Sequence, residues 1–396
     1  MDAITMVIAM IGQKGVPSRS GGVERHVDFL SRGLASRGHR VIVFGRRWYV
    51  GNAPTPAGIE QVFVPSIRTK HLDALTHSVA SLFAAIKYSP DIIHLHGTGI
   101  ALVAPLARIL FPKSKVIVTF HCMDRLFSKW GLIARLAFHV GEWMACKAAH
   151  KTITISQELA RYCLDAYDTQ TTFIPHALPV PEPVVDAGSI LDKHGLKSNG
   201  YFLFVGRLLP HKRAHVLVDA YAKAREARPD MFADKPLVIV GGASWTDRYA
   251  QWLCKMAASV PGVHIVGEKH GRELAALQSN AYAHVFPTSN EGMSLAVIEA
   301  CQYGRLVIAT DIDANREATG GHFFAVPTLD TEVLATHLIL ACATPSFVRE
   351  RVAGMAYEYV LRSHNQNDRV DDTLRFYQDA LDGRRELVTM PSLAMA

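Results

Sequence analysis

Two glutamates, Glu291 and Glu299, stand eight positions apart in the largely apolar stretch SNEGMSLAVIEACQYG, residues 289–304. A carboxylate in such a setting is costly unless something pairs with it. Carboxylates accept hydrogen bonds, and the vicinal hydroxyls of a sugar are suitable donors. The local pattern is strand (AHVFPTS), loop (NEGM), then helix (SLAVIEACQYG) closed by Gly304. Gly292 at the turn lets backbone approach a ligand closely. The amides of Met293, Ser294 and Leu295 open the helix and favour an anion. Two carboxylates flanking an anion site suit a phosphate between two polyols, which is the form of a nucleotide sugar. The plainer reading is one glutamate near a helix start and one stray.

Cations stand nearby in pattern. In FVGRLLPHKRAHVLVDA, Arg207 follows a strand and Lys212 lies five residues on. A bidentate Arg and a point-charge Lys suit a diphosphate. In the first half, GQKGVPSRSGGVERH is a glycine-rich loop opening a helix, but it matches neither G-x-G-x-x-G nor a P-loop. Gly21 and Gly22 there would bring backbone amides to a phosphate or sugar, unless the loop is only a flexible connector. His121 ends a strand in VTFHCMDR, and His94 and His96 end another in IIHLHGTG. A strand-end histidine suits substrate contact, although a lone one is more often structural. H-x-H with no third ligand at a known spacing does not make a metal site, so no metal and no cofactor are expected. Cys122, Cys146, Cys163, Cys254, Cys301 and Cys342 show neither C-x-x-C nor finger spacing. They read as small buried hydrophobes of a reducing compartment.

These groups need elements to position them. Short Val/Ile-rich runs alternate with helical patterns: TMVIAMIG, RVIVFG, DIIHLHG, KVIVTFH and KTITIS, then YFLFVGR, PLVIVGG, VHIVGE, AHVFPTS and RLVIATD. Such alternation predicts parallel sheets covered by helices on both faces. The proline-rich PVPEPVVDAG, residues 179–188, predicts a linker. The fold class is therefore α/β, with two doubly wound Rossmann-like domains expected to face a central cleft. Their expected bounds are 1–180 and 181–365, with a helix near 366–384 packing back onto the first domain and a disordered tail over 385–396. In such sheets ligands bind beyond the carboxyl ends of the strands.

Together these pieces resemble a retaining glycosyltransferase of family 4, with the GT-B fold, of the bacterial surface-polysaccharide type. The resemblance covers nearly the whole chain. It rests on Glu291 and Glu299 as E-x7-E within PTSNEGMSLAVIEACQYGRLVIATD, on GRLLPHK, on GVPSRSGGVERHV and on HCMDRLFSKWG. It implies that Glu291 holds the donor sugar's hydroxyls and Glu299 those of the ribose. Arg207 and Lys212 would neutralise the leaving diphosphate. Gly206, Gly292 and the amides of Met293, Ser294 and Leu295 would touch donor sugar or phosphate. Glu268 and Lys269 would pass the nucleobase, and His121 the sugar's far side. Gly21 and Gly22 would lie beside the diphosphate or acceptor. Two departures bear on donor identity: IPHALP around His176 replaces Pro-Asn-Gly, and GMS replaces Gly-Phe-Gly.

Composition bounds the rest. At 396 residues, 49% apolar and 20% charged, the chain can build sizeable cores and is not disordered. No apolar run reaches the roughly 18 residues of a membrane span, and the N-terminus lacks a signal peptide's basic region, so a cytoplasmic protein is expected. Residues 1–180 hold 20 Lys and Arg against 11 Asp and Glu, a formal +9, while the remainder holds 22 against 25. A basic first half suits a phosphate-bearing substrate or an anionic membrane. The segment 124–151, helical with Arg125, Lys129, Arg135, Lys147 and Lys151 among Phe127, Trp130, Phe138 and Trp143, fits peripheral contact with such a surface. Packing of its aromatics on the first sheet is one alternative, and a break at Gly131 that leaves only its first part near the surface is another. The expected partners are a nucleotide-sugar donor (UDP- or GDP-sugar) and a glycan or polyprenyl-linked acceptor, with no nucleic acid. A nucleotide-sugar epimerase and a non-catalytic nucleotide-sugar-binding protein are the rival readings.

Overall fold

A computed structural model describes residues 5–127, 130–182, 184, 186–243 and 247–383. The chain divides into two compact units, Met1–Ala177 with Gln366–Ala396, and Leu178–Asn365.

The first unit is built on seven strands: β1 (Val7–Ile11), β2 (Arg40–Gly45), β3 (Ile59–Phe63), β4 (Ile92–His96), β5 (Lys115–Phe120), β6 (Lys151–Thr154) and β7 (Thr172–Phe173). They pair in parallel in the order β3-β2-β1-β4-β5-β6-β7. Near-continuous Val and Ile runs form these strands because both faces of the sheet are covered. The helix Gly22–Ser36 buries Val27, Leu30 and Leu34 against β1 and β2 residues such as Ile8, Met10 and Val43. The helix Gln366–Leu381 completes this core with Val370, Phe376, Tyr377 and Ala380. Arg37 on the first helix pairs with Asp371 on the last.

The second unit repeats the scheme with β8 (Phe202–Val205), β9 (Leu237–Val240), β10 (Val263–Gly267), β11 (Ala283–Phe286), β12 (Leu306–Thr310) and β13 (Phe324–Val326), in the order β10-β9-β8-β11-β12-β13. All pairings are parallel. Its order reverses between β8 and β11, as that of the first unit does between β1 and β4. At such points the loops leaving two neighbouring strands diverge and leave room for a ligand.

The strands read from the sequence lie where expected; β3, β7 and β13, short or only half-buried, carry no such pattern. The helices Thr331–Ala343 and Ser346–Ser363 likewise escaped the reading. The proline-rich segment is irregular up to Ala187, then enters the helix Gly188–Lys193; Pro183 and Val185 lie outside the described residues. So does the tail 385–396. The segment 124–151 is not one helix: a 3-10 turn at Asp124–Leu126 precedes the helix Leu132–Lys147, whose N-cap is Gly131. Cysteine burial holds for Cys146, Cys163 and Cys301, while Cys122 and Cys342 are intermediate. Cys254 is exposed, against expectation, because it sits on the solvent side of the helix Asp247–Ala258.

Candidate active site

In the second unit the sequence places Arg207 and Lys212 after β8, and Glu291 after β11; these strands are hydrogen-bonded neighbours at the switch point. Two loops leave the strand ends together. The Ser289 amide donates to the His211 carbonyl at 2.9 Å, and Thr288 Oγ1 lies 3.3 Å from the same oxygen. This clamp brings Lys212 to Glu291, whose Oε1 accepts from the Lys212 ammonium and, at 3.0 Å, from Thr288 Oγ1. Burial pushes the Glu291 carboxyl up, but the Lys212 charge, with His211 and the Thr288 hydroxyl, more than offsets it and holds the group below its ordinary value. Arg207 is half-buried, and its guanidinium has no ion-pair partner among the described residues.

The helix Leu295–Gln302 begins directly after this loop. Its N-cap, Ser294, makes no side-chain cap bond, so its hydroxyl leaves the first-turn amides to other acceptors. Gly292, Met293, Ser294 and Leu295 are all buried around this start. Glu299 is partly buried one turn further along.

Gly206 sits at the end of β8, where its amide donates to Val240 at 3.0 Å. Gly241 has φ +159°, and a Cβ there would lie 1.8 Å from the Gly206 carbonyl oxygen, so only glycine allows this approach of the β8 and β9 exits. Glu268 follows β10 and its side chain packs over Gly242. Lys269 is committed elsewhere. It pairs with Glu273 at 3.1 Å, alongside His194 at 2.9 Å. The His194 hydrogen bond, followed by that of Lys269, holds the Glu273 carboxyl down at about 2.

In the first unit Gly21 caps the helix Gly22–Ser36 with φ +103°. A Cβ there would meet Glu24 Oε2 at 1.9 Å. The positive φ requires the glycine, and the Glu24 carboxylate folds back over the helix start, where Lys14 pairs with it at 3.4 Å. Gly22 is exposed. His121, just past β5, is buried, and its Nε2 lies 3.4 Å from His96 Nδ1. Its Nδ1 is buried without a hydrogen-bond partner among the described residues. His94 is structural: Nδ1 meets Tyr377 Oη and Nε2 meets Thr119 Oγ1, each at 2.6 Å.

Sequence comparison completes the picture. Residues 20–180 match the family described as Glycosyltransferase Family 4, and residues 199–343 match Glycosyl transferases group 1. The chain is a glycosyltransferase of family 4. It is 25% identical to phosphatidyl-myo-inositol mannosyltransferase of Mycobacterium tuberculosis over 84% of this chain and 86% of that protein. With O-antigen chain mannosyltransferase B of Escherichia coli it shares 22% identity over 40% of this chain and only 41% of that protein's length. Sucrose-phosphate synthase of Thermosynechococcus elongatus superposes with a TM-score of 0.80 at 21% identity, covering 96% of this chain and 100% of that one. The fold of the family 4 chain is GT-B.

Some parts of the family 4 chain's geometry went unread in the sequence. Thr288 and His211, which clamp the two loops, lie inside the stretches PTSNEGMS and GRLLPHK but were given no role of their own. Glu142, fully buried on the helix Leu132–Lys147, accepts from Arg125 at 3.0 Å, Tyr162 at 2.7 Å and Tyr167 at 3.0 Å. Arg125 therefore anchors the segment after His121 and is not a free surface charge. Phe138 turns inward against Trp130, at 5.1 Å between rings. Lys129 lies outside the described residues.

Proposed function

We propose that this family 4 enzyme moves a hexose from a nucleotide diphosphate sugar to a hydroxyl of a glycan or lipid-linked acceptor, with retention at the anomeric carbon. The observation that carries the reading is the Lys212–Glu291 pair held at the clamped exits of β8 and β11, with Arg207, which has no ion-pair partner among the described residues, on the loop that carries Lys212. Glu291, kept anionic by its surroundings, accepts bonds from donor-sugar hydroxyls. Lys212 and Arg207 meet the diphosphate. The helix-start amides at Met293, Ser294 and Leu295 add fixed dipoles, and Glu299 takes the ribose. Charge on the leaving diphosphate grows as the glycosidic bond breaks, and preorganised donors act on that growth, at about 3–4 kcal/mol for a good one. These cations supply the charge that a metal supplies in other transferases. Glu291 is engaged by Lys212 and Thr288 and is assigned to hydroxyls, so front-face attack with the leaving phosphate as base is favoured over a double displacement.

Peripheral membrane contact belongs to the same reading. On the helix Leu132–Lys147, Leu132 (84% exposed), Ile133 (87%), Leu136 (62%) and Trp143 (51%) form one outward apolar stripe beside Arg135 and Lys147, while Gly141, Glu142, Ala145 and Cys146 face inward. An apolar stripe edged by cations suits an interface helix. Among the described residues no single helix is long and apolar enough to cross a membrane. The phosphatidyl-myo-inositol mannosyltransferase relative carries a lipid in its name, which agrees with a lipid-linked acceptor.

The test is a screen of UDP-, GDP- and ADP-hexoses with and without glycan and polyprenyl-phosphate acceptors, with the product's anomeric configuration read by NMR. Acceptor-dependent transfer with retention supports the reading. Conversion of donor alone to a stereoisomer would make the protein an epimerase. Tight donor binding with no turnover would make it a binding protein.

A further inference from the structure

Five histidines converge at the strand exits of the first unit, from four segments far apart in sequence. His26 lies on the first helix, His94 and His96 on β4, His121 after β5, and His176 in the segment after β7. All are buried. His94 has both ring nitrogens engaged by Tyr377 and Thr119 and is not available. His96 differs in its partners: its Nε2 lies 3.4 Å from the Met10 thioether, which leaves Nδ1 turned toward His121. His26, His96 and His121 each offer a ring nitrogen, and these nitrogens lie within 4.8 Å of one another. His96 Nδ1 and His121 Nε2 are already 3.4 Å apart. His176 Nδ1 stands 3.0 Å from His26 Nδ1, and the His176 ring stacks on His121 at 5.3 Å between centroids.

We propose that His26, His96 and His121 form a binding site for a zinc-class divalent cation, with His176 as the residue that orients His26. Nitrogen ligands at 2.0–2.1 Å in a tetrahedral shell stand about 3.4 Å apart. The His96–His121 pair meets that spacing, and the His26 nitrogen lies within 4.8 Å of both. Imidazole is the ligand class that zinc, cobalt and copper prefer. Three protein ligands with an open fourth position also match the arrangement of exchangeable zinc sites. On the reading that His121 meets the donor sugar, a cation here and the donor exclude one another, so the metal acts as an inhibitor and not as a participant in transfer.

The experiment uses the full chain without an affinity tag and cobalt(II) alone as probe. One equivalent is expected to give the intense visible absorption of a tetrahedral site. His96→Gln should abolish it, and His26→Asn should weaken binding at least tenfold, as loss of a ligand or its orienting partner does. No such absorption at one equivalent, or full binding retained in His96→Gln, overturns the site. Should either variant melt early, the unaltered chain decides: X-ray absorption of the zinc-loaded protein must show nitrogen neighbours at about 2.0–2.1 Å with histidine ring scattering. A shell of oxygen alone, or one containing sulfur, overturns the site. Because the readout is the metal itself, a failure here leaves the transfer reading untouched, and failure of transfer leaves the cation site standing.

Discussion

At Glu291 burial and charge pull in opposite directions, and the charge of Lys212 wins. Removing that charge reverses the balance. In Lys212→Met the burial that raises the carboxyl is unopposed by its main partner, so its ionisation should move to higher pH. A carbon-13 titration of the glutamate carboxyls checks this, and an unmoved Glu291 resonance would disconnect the two residues. Glu299 stands a turn away on the helix and is assigned to the ribose. Glu299→Ala should therefore raise the donor KM by about 10- to 100-fold, equivalent to about 1.5–3 kcal/mol for bonds to a charged acceptor, with little change in kcat. Collapse of kcat at an unchanged KM would move Glu299 to the chemistry. Glu291 and both cations were legible in the sequence as residues that follow strands, and Glu299 as one on the helix beyond. Their direct Lys212–Glu291 contact was not, because it depends on Thr288 and Ser289 binding the His211 carbonyl, a backbone clamp with no residue signature.

At the scale of elements, the helix Leu132–Lys147 shows how far pattern reading goes. The sequence pointed to its aromatics and cations, yet the structure turns Phe138 inward and ties Arg125 to Glu142. The outward face is carried by Trp143 together with aliphatic residues at Leu132, Ile133 and Leu136 that the sequence did not single out. An apolar residue looks the same in sequence whether it faces a core or solvent. Substitution at Arg125 would disturb a buried carboxylate, so the sound probe lies on the stripe. Ile133→Glu with Leu136→Glu should abolish co-sedimentation with anionic vesicles and leave thermal stability unchanged, since both side chains are exposed. Unchanged sedimentation would detach this helix from the membrane reading. The histidine cluster escaped the sequence for a related reason. His26 and His176 touch at a separation of 150 residues, and no spacing rule reaches across a sheet assembled from crossovers.

Across the whole molecule, two parallel sheets were readable because strands buried on both faces must be near-continuously apolar. The short strands β7 and β13 were not, since two or three residues carry no pattern. Burial also sets a global pH response. His77 in the first unit and His284 in the second are fully buried, and desolvation lowers each to about 4. A histidine whose folded pKa lies below its unfolded value contributes stability that is present above about 6.5 and lost as pH falls toward 4. Each should cost about 2 kcal/mol between pH 7 and pH 5. The urea midpoint should therefore fall over that interval, and less so in His284→Gln than in the unaltered chain. An equal fall in both would assign the acid sensitivity to other groups.

The central claim is that Arg207 and Lys212 stabilise a leaving diphosphate. Its most direct test is steady-state release of nucleoside diphosphate at saturating donor, with acceptor present, by the unaltered chain and by Arg207→Ala and Lys212→Ala. Cations that act on charge developed in the transition state should, when removed, lower kcat and kcat/KM together, by about 100-fold or more each. Near-normal kcat in both variants would contradict the account.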